Sequence, residues 1–357
     1  MVITHPDQLS ATWIEAVLRR SGALQGGHVD CIEVLPETLE ILACSVRIRV
    51  RYADGAAGEC PPHLLLKTSG GESRQFGAAT LRFFSDDYAG LADAPLPGCY
   101  DAVTEALPRR YHLLLRDAAD THRRCDQDEP DRAHGEALAR ALASLHAHLW
   151  GQRCERAARP TRTEVCHAID LFAAHARSGL QALLDTGAPE IDERRAGELH
   201  RLFARLAERF AQRAGDGIDL TTLHGDPAPA HLLAPLDGHG PLLLAERVAA
   251  DWMLTRWLGA SDLANAIVPW WETSVRRELE RPVLHAYHTA LRARGVLDYS
   301  LQQLYDDYRL CVVQAIALAA EGCRLEDDRV RLRWLWRRQL RRALAAYDDL
   351  ECAALWA

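Results

Sequence analysis

The hydrophobic period of this chain turns from mainly strand-like to mainly helical near Leu115, and that change limits the folds open to it. Before it, Ser45-Val46-Arg47-Ile48-Arg49-Val50-Arg51-Tyr52 alternates apolar and basic side chains, the pattern of a strand with one buried face. Val29 to Leu35, His63 to Lys67 and Tyr111 to Leu115 read as further strands, with a turn at Ala53-Asp54-Gly55. Ser10 caps a helix that runs through Trp13, Ile14, Val17 and Leu18 to about Gly22, and a second helix is expected over 73–91. After Leu115 the period is helical. Leu138, Leu142, Leu145 and Leu149 form one stripe on a helix from Glu136 to Trp150, and more amphipathic helices are expected at 167–186, 190–213, 272–294, 300–322 and 326–349. A non-helical island at 219–257 interrupts them. Strands gathered first and helices after predict an α+β chain. The expected layout is a small antiparallel-sheet N-lobe at 1–112, a hinge at 113–118 and a larger, mostly helical C-lobe at 119–357 carrying the island.

The chain has 357 residues and a net charge of −8, enough for two lobes and too acidic for a general nucleic-acid binder. The longest apolar stretch, Leu310 to Ala320, is too short to span a bilayer, and Met1 to Asp7 has no basic-then-apolar run, so neither a membrane partner nor a signal peptide is expected. Ten cysteines stand without C-x-x-C spacing and predict free thiols in the cytoplasm. Among 42 basic residues, 41 are Arg and one is Lys67. A codon bias that replaces Lys wherever Arg will serve leaves the surviving Lys where a compact ammonium is required.

Three places carry chemistry. Lys67 ends a buried strand, from which an ammonium can reach a phosphate while its stem packs on apolar neighbours. Asp226 lies in Leu223-His224-Gly225-Asp226-Pro227-Ala228-Pro229-Ala230-His231-Leu232-Leu233, where Gly and two prolines fix a loop able to hold a carboxylate near a hydroxyl. Asp251 precedes Trp252 after a short apolar run and is a natural Mg²⁺ ligand. Taken singly, each has a plainer reading: a snorkelling lysine, a turn, a helix cap. Together they supply what phosphoryl transfer needs, namely a cation on the phosphates, a carboxylate at the attacking hydroxyl and a metal ligand.

In order and surroundings these residues resemble the aminoglycoside phosphotransferase and choline kinase superfamily, most closely its bacterial ecdysteroid-kinase-like branch. Leu9 to Gly22, Leu113 to His122, the Ala139-Leu142-Leu145-His146-Ala147 helix, Asp251-Trp252 through Asp262-Leu263-Ala264, and Tyr305 to Leu310 carry the resemblance, which spans nearly the whole chain. It implies a protein-kinase-like bilobal fold and an ATP-dependent, Mg²⁺-requiring phosphotransferase acting on a hydroxyl of a small molecule. It implies Lys67 on the α/β-phosphates, Asp226 as the catalytic-loop carboxylate, Asp251 as metal ligand, Leu115 and Arg116 as hinge groups facing adenine, and Asp262 as a brace for the catalytic loop.

Three positions depart from that pattern. His231 stands where the family has a metal-binding Asn, and imidazole suits Mn²⁺ better than Mg²⁺. The best register puts Thr80 where a helix Glu would pair Lys67, with Glu72 upstream and Asp86 and Asp87 downstream. The phosphate-covering hairpin, Pro36 to Ser45, contains no Gly. These departures support an alternative: a divergent kinase-fold pseudoenzyme that binds a peptide or protein, or runs a non-kinase step in a biosynthetic pathway. Three further features read as structural: the Arg-rich run 329–342 as a solvated helix face with Val330, Leu335 and Leu340 inward, His146 or His148 as a core histidine, and Trp270-Trp271 as packing or an acceptor wall.

Overall fold

A computed structural model describes residues 2–35, 38–39, 44–69, 78–105, 110–126, 128–151, 160–247 and 250–356. The chain forms two compact units, Met1–Arg123 with Leu233–Asp251, and Arg124–Leu232 with Trp252–Ala357. The first unit also takes in much of the island, because the strands Leu232–Pro235 and Leu243–Leu244 form one small sheet with His122–Arg124.

In the first unit a six-stranded antiparallel sheet runs in the spatial order Val29–Val34, Cys44–Tyr52, His63–Ser69, Arg110–Arg116, Cys99–Glu105, with Thr38–Leu39 also paired to Cys44–Tyr52. The alternating segment behaves as its period requires: Val46, Ile48 and Val50 are buried while Arg47, Arg49 and Arg51 face water. Those three join Ile14, Val17, Leu18, Leu64, Leu66 and Leu114 in one core, so the first helix, Ala11–Arg20, closes one face of the sheet. Ser10 Oγ accepts from the Trp13 N–H at 3.1 Å and caps that helix. His112, wholly buried, accepts from the Ile3 N–H at Nδ1 (3.0 Å) and meets Asp101 at Nε2 (3.0 Å), which ties the leading segment to the sheet.

The expected second helix is shorter in its described part: Ala78–Arg82, followed by a wide turn at Phe83–Asp87. Phe83 packs edge-on against Phe84 and Tyr88 at 5.2 and 4.9 Å, and this aromatic cluster holds the wider turn. Glu72 and most of the Pro36–Ser45 hairpin lie outside the described residues.

The second unit is built of helices at Arg132–His148, Arg162–Leu184, Glu193–Ala204, Leu206–Ala214, Ala260–Ile267, Thr273–Ala293, Leu301–Glu321, Glu326–Arg331 and Arg333–Asp349. Capping boxes start two of them, Thr161 with Glu164 and Ser300 with Gln303. Leu301–Glu321 is the central helix and packs on Arg162–Leu184, Ala260–Ile267 and Arg333–Asp349. Two expected helices are each divided. At Arg205 the N–H is shared between Arg201 O and Leu202 O (3.3 and 3.2 Å), tightening the turn. At Leu332 the Arg329 carbonyl accepts from the Trp336 indole N–H (3.0 Å). Val330, expected inward, is 73% exposed beside that break, whereas Leu340 is fully buried.

Candidate active site

Lys67 sits in the middle of the first unit's sheet, flanked by Ser45 and Leu113. Its side chain is 4% exposed, and the only lysine of the chain forms an ion pair with Glu246. Glu246 follows the strand Leu243–Leu244, and its carboxylate is 23% exposed. A buried ammonium needs a counter-charge, since desolvating it alone costs several kcal/mol. Here the counter-charge comes from 179 residues further on. The neighbouring Arg247, also buried, donates from its guanidinium to Ala79 O (2.8 Å) and lies over the Phe83 ring at 4.6 Å. Two adjacent side chains thus fasten the lysine strand and the short helix to one segment.

Sequence reasoning missed Glu246. The signal available was a carboxylate directly after Leu242-Leu243-Leu244-Ala245, a strand-like run ending in an acid. Thr80, the residue in register with a helix Glu, is fully buried, and its hydroxyl makes no hydrogen bond among the described residues. Asp251 is exposed in a turn. The hinge reading of Leu115 and Arg116 meets a constraint. Leu115 is paired on both sides within the sheet, to Leu65 and Cys99. The N–H groups of Arg116 and Asp117 donate to Gly98 O (2.8 Å) and His63 O (3.1 Å).

Asp226 and His231 belong to the second unit. A two-strand ladder, Leu220–Thr222 against Arg256–Leu258, leads into their loop. The N–H groups of His224 and Gly225 both donate to the Asp262 carboxylate, at 2.7 and 2.9 Å. Gly225 has φ +91, a conformation that side chains rarely adopt, and there the chain turns back toward that carboxylate. Asp262 is wholly buried and also faces His146 Nε2 at 3.0 Å, while His146 Nδ1 meets the Tyr287 hydroxyl at 2.7 Å. Three donors converge on one carboxylate. Because an ionised carboxylate only accepts, His146 carries its proton at Nε2 and accepts from Tyr287 at Nδ1 when neutral. Burial alone would raise the pKa of Asp262, but the His146 hydrogen bond and charge, with the loop, outweigh it and hold the carboxyl below its ordinary value. Burial pushes the Tyr287 hydroxyl well above its ordinary value. Asp262 as brace for the loop, and His146 as a core histidine, are thus both seen directly. Tyr287 was not anticipated.

Beyond the brace, Pro229–His231 makes one 3-10 turn. His231 Nδ1 lies 2.9 Å from the Asp226 carbonyl and 3.3 Å from its Oδ2. A carbonyl only accepts, so Nδ1 bears the hydrogen and the neutral ring has its lone pair at Nε2. Both side chains are partly exposed, as groups that meet a ligand must be. Among the described residues no cluster of three or more His, Cys, Asp or Glu side chains forms a ready metal cage, and no helix is long and apolar enough to cross a membrane.

No known family profile matches the chain, and no curated protein sequence does. Solved structures do. Choline kinase from Cryptosporidium parvum is 11% identical, with 91% of each chain covered and a TM-score of 0.58. The ethanolamine kinase of Plasmodium vivax is 10% identical over 89% of this chain and 81% of its own, with a TM-score of 0.52. A glucosamine kinase is 16% identical over 91% and 78%, with a TM-score of 0.53. At such identities the likeness is one of fold, and by it the chain has the kinase-like α+β fold of these small-molecule kinases.

Proposed function

We propose that the protein is a cytoplasmic, ATP-dependent phosphotransferase that phosphorylates a hydroxyl of a small molecule. The single observation that carries this reading is the rigid His224-Gly225-Asp226 loop, locked on Asp262 and leaving Asp226 partly exposed. Asp226 orients the acceptor hydroxyl and takes its proton as the new O–P bond forms and the bond to the leaving nucleoside diphosphate breaks. Lys67 supplies positive charge for the α/β-phosphates, with Glu246 fixing where its ammonium points. Leu115 and Arg116 are the proposed hinge residues whose backbone faces the base.

Asp251 and His231 are the proposed metal ligands. By donor chemistry these residues suit a divalent cation: the Asp251 carboxylate suits Mg²⁺, while the His231 Nε2 lone pair favours Mn²⁺. Such an ion, when bound, neutralises charge on the phosphates.

One observation favours a second reading, a kinase-fold protein without kinase activity that binds a peptide or protein. Lys67 is buried and already neutralised by Glu246, so a nucleotide must compete for it. Incubating the protein with ATP, Mg²⁺ or Mn²⁺ and a panel of hydroxylated metabolites separates the two. The first reading expects a phosphorylated product and a nucleotide-dependent rise in melting temperature. Neither product nor thermal shift with either metal would leave the second.

A further inference from the structure

We propose that residues 325–341 form a self-association surface, on which a second copy of this chain docks across a two-fold axis. Most of the chain's apolar side chains are buried, but three large ones in this short segment are not. Leu325 is 65% exposed, Val330 73% and Trp334 64%. The Arg338 guanidinium lies 5.3 Å from the Trp334 ring and extends the flat surface that ring offers. Three large exposed apolar groups within ten residues of chain mark a contact surface far better than scattered ones do.

The charges say which partner. Several arginines here are answered within the protein: Arg329 donates to Cys323 O, Arg331 to Asp328, and Arg337 to Glu190. Of the charged side chains left facing water, Glu326 and Asp327 come first, and Arg333 and Arg341 come last, with Val330 and Trp334 between them and among them. The helix dipole accounts for acids at a helix start. It gives no reason for a tryptophan and a valine standing in water. A segment that is acidic, then apolar, then basic is complementary to itself when reversed. A two-fold axis supplies that reversal, setting Glu326 and Asp327 of each copy against Arg333 and Arg341 of the other, with Trp334 meeting apolar surface at the centre. An anionic bilayer or an acidic peptide would meet Glu326 and Asp327 as like charges.

The test is the mass of the full chain by sedimentation velocity and light scattering over rising concentration. The expected result is a shift from 39.8 kDa towards twice that value. Glu326→Arg with Asp327→Arg should be monomeric alone, and so should Arg333→Glu with Arg341→Glu. Mixing the two variants should restore association, because each exchanged pair of one variant then meets the opposite charge on the other. Trp334→Ser should weaken association by ~10-fold or more in Kd. A wild-type chain that stays monomeric up to ~100 µM overturns the proposal, well above the concentrations at which specific interfaces assemble. So does a dimer that these variants leave unchanged, a mixture that fails to associate, or a monomer that instead binds anionic vesicles. Melting curves confirm that each variant is folded, and the charge pairs decide the outcome should Trp334→Ser not be.

Discussion

Asp262→Asn is the sharpest perturbation available, because it changes one atom's chemistry and leaves shape alone. The wild-type carboxylate, itself wholly buried, accepts from His224 N, Gly225 N and His146 Nε2, all within 3.0 Å. Asparagine offers one acceptor oxygen and must turn an NH₂ toward a remaining donor. One N–H loses its partner, a donor faces a donor, and the charge assistance is gone. An unsatisfied buried donor costs about 1–3 kcal/mol, and each hydrogen bond to a charge contributes about 1.5–3. The expected loss is ~3–5 kcal/mol, in line with removing one side of a buried ionic contact. For a unit of this size that corresponds to a fall in melting temperature on the order of 10 °C. The pH dependence has a fixed sign. The Asp262 carboxyl is held below its ordinary value, so its contribution is complete above the unfolded value of about 3.9 and fades as pH falls through the folded one. The gap between wild type and variant should therefore be constant at neutral pH and narrow below about pH 4. Thermal melting gives the gap, and amide hydrogen exchange on peptides covering 223–232 localises it. A loss under ~1 kcal/mol, unchanged exchange at His224 and Gly225, or a gap that widens in acid would refute the reasoning.

Gly259→Ala should be destabilising by ~1–3 kcal/mol although Ala favours helix, because its Cβ would fall 2.3 Å from Tyr287 Oη and 2.8 Å from His146 Nδ1. Adding Tyr287→Phe should recover part of that loss, and a double-mutant cycle in urea measures it. Lys67→Met should cost ~2–3 kcal/mol by removing the ammonium from a largely buried ion pair, less than for a fully enclosed pair because Glu246 is 23% exposed. The double variant with Glu246→Gln should lose less than the two single losses combined, and strict additivity would argue that the pair is not formed. Thr80→Val should stabilise by ~1 kcal/mol, since it removes a buried hydroxyl without a partner at nearly constant volume; a lower melting temperature would mean the hydroxyl is satisfied.

Period and punctuation made the fold class legible. Alternation over 45–52 and the leucine stripe at 138–149 reappear as buried faces, and Ser10 caps its helix as its position suggested. Helix ends were less legible where long-range contacts decide them, as where the Trp336 indole takes the Arg329 carbonyl and divides one expected helix into two. At the candidate site, the rarity of lysine singled out Lys67, the Gly and two prolines of its loop singled out Asp226, and the resemblance supplied the brace at Asp262. None of these supplied Glu246 or Tyr287.

Within an unbroken element the amino-acid sequence alone determined which residues turn inward, because a side chain's face follows from a period of 2 or 3.6 that is local to that element; Val330, beside a helix break, escaped it. The sequence could not say what those inward residues meet. Lys67 finds Glu246 at a separation of 179 residues, and His146 finds Asp262 at 116 and Tyr287 at 141. Such partners are selected only when packed elements bring a buried charge or donor to the one group able to satisfy it, and the cost of leaving it unsatisfied makes that choice a property of the tertiary structure.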